Sequence, residues 1–244
     1  MIGFLLAIFL AADHPIVVIA HRGEHLSHPE NTLEAFQGAV DARADFFELD
    51  VRTTADGKLV LMHDATVDRM TGAKGEVAQM TFDAIRKLDV HGSRVPTFEE
   101  ALEFARGKIG VYVDSKRIAP ADLVSAVEKA RMPEHVVIYG GAAFLKEVSS
   151  LRPALKVMPE ASTVENLKSL LDAMPLKVVA FDARDFLDPV IAIARKVRAD
   201  VYVDRLGPAD NQASWQDAID RGATGIQTDH PAQLVAYLNS KGLH

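Results

Sequence analysis

Eight short apolar segments alternate with helix-like segments along the chain, and this alternation limits the fold more than any other feature. The helix-like segments carry clear start signals, with capping boxes at 97–100 and 162–165 and prolines at Pro120 and Pro231. An open doubly wound sheet is the alternative, but no G-x-G-x-x-G turn follows the first strand. Eight strand–helix repeats therefore predict an α/β fold, a parallel (β/α)8 barrel of the TIM type. The predicted strands are 16–20, 46–51, 109–114, 135–140, 155–160, 177–183, 199–204 and 224–229.

The stretch 46–64, FFELDVRTTADGKLVLMHD, predicts a β-hairpin excursion after the second strand. Asp56-Gly57 is a strong turn signal between two strand-like runs. A two-residue turn there places Asp50 opposite His63, so that both side chains share one face. Glu48 lies two residues before Asp50 and leaves the same face. The stretch thus predicts that two carboxylates and an imidazole converge.

Composition limits the classes of partner and chemistry. No linker or low-complexity segment interrupts the chain, so residues 13–244 are expected to form one barrel domain. Acidic residues outnumber basic ones by 34 to 27, which does not support a nucleic-acid partner. The chain has no cysteine, and this excludes disulfides, thiol chemistry and cysteine-bound zinc.

Residues 2–12 form an apolar run that is too short to span a bilayer. The run resembles the core of a signal peptide, although the positively charged lead is missing. Residues 1–12 are therefore expected to be either a signal peptide or an apolar N-terminal segment that closes one end of the domain. The run favours export, to the periplasm or the exterior, over a cytoplasmic location.

Polar side chains follow the predicted strands at their carboxyl ends, where active sites lie in this fold. His21 and Arg22 end the first strand, and Asp114 and Lys116 share one face of the third. Arginine offers forked donors that match phosphate oxygens, and histidines can move protons. Each group also has a purely structural explanation: an ion-pair cluster for the acids, a salt bridge for Asp114 and Lys116, and a hydrogen-bonded core histidine for His21. Taken together, the residues favour a metal-assisted site for phosphodiester hydrolysis.

Four motifs resemble the glycerophosphodiester phosphodiesterase family: HRG at 21–23, PENTLEAF at 29–36, ELDVRTTADGKLVLMHD at 48–64 and TDHP at 228–231. The resemblance covers the whole chain and is densest over 16–106. It implies a TIM-type barrel, one divalent cation (Mg²⁺ or Ca²⁺), and hydrolysis of glycerophosphodiesters to glycerol 3-phosphate and an alcohol.

The resemblance also implies roles for individual residues. Glu48, Asp50 and Asp114 would ligate the metal, and Arg22 and Lys116 would hold the substrate phosphate. Asp114 stands where the family pattern has a glutamate, which is one methylene longer.

Acid–base roles fall to His21 and His63, with His21 favoured as the base and His63 as the acid, and the opposite assignment stays open. Glu30 and Asn31 match the family's Glu-Asn pair and would support the site by capping the following helix and bracing His21.

Two further departures bear on the substrate. Asp204-Arg205 stands where the family usually has Trp-Thr, so a charged pair would replace an aromatic wall beside the alcohol. The segment 64–96 is compact and leaves little material for a lid.

Two other functions compete with this one. The first is a phospholipase D-like or sphingomyelinase D-like lipid phosphodiesterase, which would need an exposed apolar rim. The second is a non-catalytic barrel that binds phosphate. The expected partner is a small glycerophosphodiester, without nucleic acid or stable membrane insertion, while the alcohol, the metal and the oligomeric state stay open.

Overall fold

The structure is a computed structural model that describes residues 15–244. The segment 1–12, expected to be a signal peptide or an apolar segment, lies outside the described residues. The strands are β1 (Val17–Ala20), β2 (Phe46–Thr53), β3 (Leu59–Leu61), β4 (Gly110–Arg117), β5 (Val136–Tyr139), β6 (Lys156–Met158), β7 (Val178–Phe181), β8 (Asp200–Arg205) and β9 (Gly225–Thr228). The α-helices are α1 (Leu33–Asp41), α2 (Asp68–Thr71), α3 (Phe82–Ile85), α4 (Phe98–Ala105), α5 (Pro120–Lys129), α6 (Ala142–Leu151), α7 (Val164–Ala173), α8 (Asp188–Lys196), α9 (Gln212–Asp220) and α10 (Pro231–Ser240), and short 3₁₀ turns lie at Val77–Gln79 and Gly207–Ala209.

Eight of these strands form a parallel barrel in the order β1-β2-β4-β5-β6-β7-β8-β9, and β9 pairs again with β1. The junction of β6 and β7 is a single parallel bridge between Glu160 and Ala180. Each of the eight predicted segments falls on one barrel strand. The predicted (β/α)8 barrel is therefore confirmed.

Strand β3 pairs antiparallel with β2, which confirms the hairpin excursion, but the predicted register is wrong by one residue. The observed pairing places Asp50 opposite Met62 rather than His63. The turn contains three residues instead of two, and Gly57 takes a left-handed conformation with φ of 78°. The carboxylate of Asp56 accepts the first backbone N–H of α3 at 2.9 Å, so the turn is shaped by a helix that follows it in the chain.

Helix starts agree with the sequence at three of four positions. Thr97 forms the predicted capping box, and Pro120 and Pro231 are the first residues of α5 and α10. The box expected at 162–165 is absent from this helix start, because Thr163 caps α7 instead by accepting the N–H of Asn166.

No helix within 15–244 has both the length and the apolar character needed to cross a membrane.

The barrel interior has an apolar floor, and the polar residues of the same strands lie above it. The side chains of the floor belong to alternate, inward-facing positions of successive strands. Two residues farther along, the inward position becomes polar on most strands, which leaves a polar mouth at the carboxyl ends. The floor consists of Ile19, Tyr112, Val137, Met158, Val178, Ala180 and Tyr202.

The excursion between β3 and α4 carries its own small apolar cluster beside this mouth. As expected, the segment is compact, and it packs the hairpin return against two short helices. The cluster consists of Val60, Met62, Val67, Met70, Val77, Ile85, Val90 and Val95.

Gly225 provides a test of packing in the floor. A Cβ added there would lie 2.6 Å from a ring carbon of buried Tyr202. We expect Gly225→Ala to lower the free energy of unfolding by about 1–3 kcal/mol, because the ring or the strand must shift. For a chain of this size the melting temperature should fall by roughly 2–12 °C in calorimetry.

Gly141→Ala is the matched control, since an added Cβ there meets nothing within 4 Å. Its melting temperature should fall less than that of Gly225→Ala, and only because Gly141 is the N-cap of α6, where alanine is a weaker cap. Equal melting temperatures for the two variants would contradict the packing assigned to Gly225.

Candidate active site

A cavity of about 220 Å³ opens at the carboxyl ends of the barrel strands, above the apolar floor. Most of the predicted site residues meet there, although they come from three barrel strands and the excursion. Glu30 and Asn31 lie beside the cavity rather than in its wall. The predicted residues that line it are His21, Arg22, Glu48, Asp50, His63, Asp114 and Lys116.

Three carboxylates converge on one side of the cavity, and we call Glu48, Asp50 and Asp114 the carboxylate triad. One oxygen of each lies within 4.8 Å of the others, so the shorter Asp114 side chain reaches the cluster. Asp50 and Asp114 are paired in register on β2 and β4. Burial, and then the charges of the other two carboxylates, raise the pKa of Glu48 well above its ordinary value. Such a set of desolvated oxygen donors can hold a divalent cation.

Two cationic side chains lie against the triad. Lys116 Nζ is 2.6 Å from Asp114 and 3.3 Å from Asp50, and Arg22 Nε is 3.5 Å from Asp50. Burial by itself would lower the pKa of Lys116, but the carboxylates raise it, so the amine keeps its charge. Arg22 Nε is buried and finds no hydrogen-bond acceptor within residues 15–244. Two cationic side chains that line the cavity thus lie beside the triad, and one buried Arg22 donor is unused.

His21 is held from behind by Asp229. The Nδ1 atom of His21 lies 2.8 Å from Asp229 Oδ1, and the backbone N–H of Gly207 donates to the other oxygen at 3.0 Å. Burial is the largest influence on the pKa of His21 and lowers it, while the hydrogen bond to Asp229 opposes this. Burial alone would raise the pKa of Asp229, but His21 and Gly207 bring it down to about 2. Because the ionised Asp229 carboxylate accepts the N–H at Nδ1 of His21, the Nε2 atom of His21 is left as a proton acceptor.

His63 reaches the cavity through contacts that compensate for the shifted hairpin register. Arg52, on β2, donates from Nη2 to the His63 carbonyl at 2.6 Å and fixes the backbone there. The Nδ1 atom of His63 lies 2.8 Å from Asp64, and Arg69 Nε donates to the second Asp64 oxygen at 2.7 Å. His63 therefore has the same arrangement as His21: a carboxylate lies against Nδ1, and Nε2 is available for proton transfer.

The support roles expected for Glu30 and Asn31 are wrong in detail. Thr32, not Asn31, caps α1 by accepting the N–H of the third helical residue. Asn31 instead takes φ of 58°, donates from Nδ2 to the Asp50 carboxylate, and accepts the Asp50 backbone N–H at Oδ1. Glu30 does not brace His21; it joins Arg22 and Arg69, with Arg69 Nη2 at 2.7 Å and Arg22 Nη1 at 3.1 Å.

Two residues that organise the site were given no role from the sequence: Asp229, which lies in the TDHP motif, and Arg69. Asp229 had a usable signal, because it follows the last strand and a closed barrel places that strand beside the first, which ends at His21. Arg69 had none, since its contacts with Glu30 and Asp64 arise from the tertiary fold of the excursion.

Opposite the triad the cavity has a second group of acids, and we call Glu160, Asp182 and Asp204 the acidic wall. They follow or end β6, β7 and β8, which lie across the barrel from β2 and β4. Tyr139 donates its hydroxyl to Glu160. Burial, followed by the charges of Asp182 and Glu160, raises the pKa of Asp204 to about 7.

The expectation that Asp204-Arg205 forms a charged pair in the cavity is wrong. Asp204 lines the cavity, but Arg205 faces the helices outside the barrel. Its guanidinium lies over the ring of Phe186, 5.1 Å from the centroid, and Nη2 is 3.2 Å from Asp217. Adjacent strand residues face opposite sides, so only the carboxylate reaches the cavity.

Comparisons with known proteins agree with this geometry. A sequence model of the Glycerophosphoryl diester phosphodiesterase family matches residues 21–233. The chain is 29% identical to a glycerophosphodiester phosphodiesterase of Caldanaerobacter subterraneus subsp. tengcongensis over 248 residues, which cover 93% of this chain and 99% of the relative.

Solved structures agree as well. A glycerophosphodiester phosphodiesterase of Agrobacterium tumefaciens superposes with a TM-score of 0.82 at 27% identity, covering 91% of this chain and 99% of that one. A phosphodiesterase of Oleispira antarctica, solved with its product sn-glycerol-3-phosphate, has a TM-score of 0.79 at 18% identity, covers 92% and 97% of the two chains, and shares the fold.

The contact between His21 and Asp229 gives a titration test. In Asp229→Asn the imidazole keeps its burial but loses the carboxylate that raises its pKa. We therefore expect the pKa of His21 to fall further below 6.5 in an NMR titration of the ring protons. Asp220→Asn, an exposed change on α9, should leave that titration unaltered. An increase in the His21 pKa in Asp229→Asn would contradict the assigned contact.

Proposed function

Because the chain belongs to the glycerophosphoryl diester phosphodiesterase family, we propose that it hydrolyses glycerophosphodiesters to glycerol 3-phosphate and an alcohol. The observation that carries the proposal is the convergence of two carboxylate-held histidines, a carboxylate triad and two cationic side chains on one cavity. Phosphodiester hydrolysis needs charge stabilisation at phosphorus together with proton transfer at two oxygens. The cavity offers groups for both tasks.

In this proposal Glu48, Asp50 and Asp114 hold one divalent cation, Mg²⁺ or Ca²⁺. When bound, the cation supplies Lewis-acid stabilisation of the negative charge on the phosphoryl oxygens. Arg22 and Lys116 bind the phosphate from the same side, which their positions in the cavity lining beside the triad support. Asn31 positions Asp50, and Glu30 positions Arg22, through the hydrogen bonds described above.

His21 acts as the general base. Its pKa is lowered by burial, so the imidazole is neutral at pH 7 and Nε2 can accept a proton. The proton comes from the glycerol hydroxyl beside the phosphate, whose oxygen bonds to phosphorus as the bond to the alcohol breaks. His63 gives a proton to the departing alcohol oxygen. Water then opens the resulting cyclic phosphate, with the two histidines exchanging roles, and glycerol 3-phosphate is released.

Removal of either imidazole tests the two-histidine assignment. His21→Ala and His63→Ala should each lower kcat on glycerophosphodiesters by about 10²–10⁴-fold, because one proton transfer loses its catalyst. Circular dichroism should show an intact fold. The control is His135→Ala, an exposed histidine at the opposite end of the barrel, which should keep full turnover. Wild-type turnover in either of the first two variants would refute the assignment.

Metal dependence is tested by chelation and by melting temperature. EDTA should abolish hydrolysis, and one added divalent ion should restore it. A cation at about 100 times its Kd should stabilise the folded chain by ~2.7 kcal/mol. This corresponds to a rise in melting temperature of roughly 5–10 °C for a chain of this size.

Glu48→Gln should remove most of that rise, since the triad loses one charge. Glu103→Gln, on the exposed face of α4, is the matched control and should keep it. Full activity after exhaustive chelation would contradict the proposed cation.

A further inference from the structure

The acidic wall differs from the rest of the cavity because, among residues 15–244, no cationic side chain faces it from inside the cavity. Arg22 and Lys116 both lie on the side of the carboxylate triad. Arg205 faces away from the cavity, and its Nη1 donates to the main-chain carbonyl of Asp204 rather than to the carboxylate. Asp182 does have a partner, Arg184, but that side chain is 86% exposed. Among residues 15–244, no cation that lines the cavity therefore compensates the charge that these carboxylates carry when ionised.

Two hydrogen-bond acceptors within this part of the cavity are unused. Asp204 and Gln227 are paired in register on β8 and β9 and both line the cavity. Gln227 is 6% exposed, and its Oε1 atom has no hydrogen-bond partner within residues 15–244. In the same described part of the chain, no side-chain or backbone donor reaches the Asp204 carboxylate. A buried acceptor without a donor is unfavourable, so the Gln227 amide can turn its oxygen toward a donor on a ligand, beside the Asp204 carboxylate that lines the cavity.

A metal ion does not account for this pair. Within the described residues, the groups of three side chains close enough to share an ion are the triad and His21–His25–Asp229, and neither includes Asp204. A neutral polyol would satisfy the acceptors but would gain little from the negative charge. A primary ammonium group meets both needs: its positive charge complements the acidic side chains, and its three N–H groups donate to the acceptors. A quaternary ammonium carries the charge without any donor.

We propose that Asp204 and Gln227 form a subsite for a primary ammonium on the leaving alcohol, so that glycerophosphodiesters of an amino alcohol such as ethanolamine are the preferred substrates. The inference rests on the proposed function and specifies the alcohol that it leaves open. In this arrangement the phosphate lies between the triad and the wall, and the ammonium lies against Asp204.

The test compares kcat/KM for three diesters: glycerophosphoethanolamine, glycerophosphocholine and glycerophosphoglycerol. The wild type should prefer the ethanolamine diester to the neutral glycerol diester by roughly tenfold or more, the ratio that one charge-assisted hydrogen bond supplies. The choline diester should fall between them, since it keeps the charge and lacks the donors.

Asp204→Asn should lower kcat/KM for the ethanolamine diester by about tenfold and leave that for the glycerol diester within about twofold. Gln227→Met should reduce the ethanolamine value by a smaller factor, because only a neutral acceptor is lost. Asp200→Asn changes the same residue type on the same strand, but at its exposed opposite end, and should alter none of the three values. Melting temperatures establish that each variant is folded.

The outcomes separate the two proposals. Equal kcat/KM values for all three diesters, or an unchanged ethanolamine preference in Asp204→Asn, would overturn the ammonium subsite and leave the hydrolase function standing. A choline diester preferred to the ethanolamine diester would likewise overturn it, because N–H donation would play no part. Absence of turnover on all three diesters would refute the proposed function itself, and the subsite with it.

As a second measurement, free ethanolamine should inhibit the wild type competitively and Asp204→Asn more weakly. Equal inhibition of both would count against the subsite.

Discussion

The two-residue period of a β-strand is the constraint on which this structure depends. In a closed parallel barrel, every second residue of each strand must enter the interior, and the carboxyl ends of all the strands share one rim. The inward positions of this chain are apolar at the lower level, as at Ile19, Tyr112 and Tyr202. They become polar one inward position later, at His21, Asp114 and Asp204. The same backbone alternation therefore builds the hydrophobic floor and assembles the chemical groups above it.

Buried charge at this rim is tolerated because it is organised in opposed sets. The desolvated carboxylates of the triad would repel one another, and Lys116 and Arg22 offset part of that repulsion. Glu30 connects Arg22 to Arg69, and Arg69 continues through Asp64 to His63. A continuous run of ion pairs thus joins the side of the cavity that holds Arg22 and Lys116 to an imidazole on the excursion. Such a run holds long side chains in one geometry more firmly than isolated surface pairs do.

Features that depend on neighbouring residues could be predicted from the sequence, and features that depend on contacts between distant segments could not. The strands, the triad and the positions of His21 and Lys116 depend on local alternation, and the structure places them as expected. The same alternation also separates Asp204 from Arg205, although the family pattern encouraged treating them as a pair. The hairpin register could not be predicted in this way, because Asp56 is recruited by the start of α3, a helix that begins well after the turn. Arg69 likewise acquires its role only when the excursion has folded against the rim.

The two histidines differ in their surroundings, and the difference fits the roles proposed for them. The side chain of His21 is 16% exposed, and its partner Asp229 is fixed by the end of a neighbouring barrel strand. Burial there favours a neutral imidazole, which is the form that a base requires. The side chain of His63 is 34% exposed, and its partner Asp64 is the next residue in the chain, steadied by Arg69. The histidine proposed as the acid is therefore the more exposed of the two and lies on a segment outside the barrel. In the proposed mechanism, the base therefore lies at the end of a barrel strand and the acid lies on the excursion.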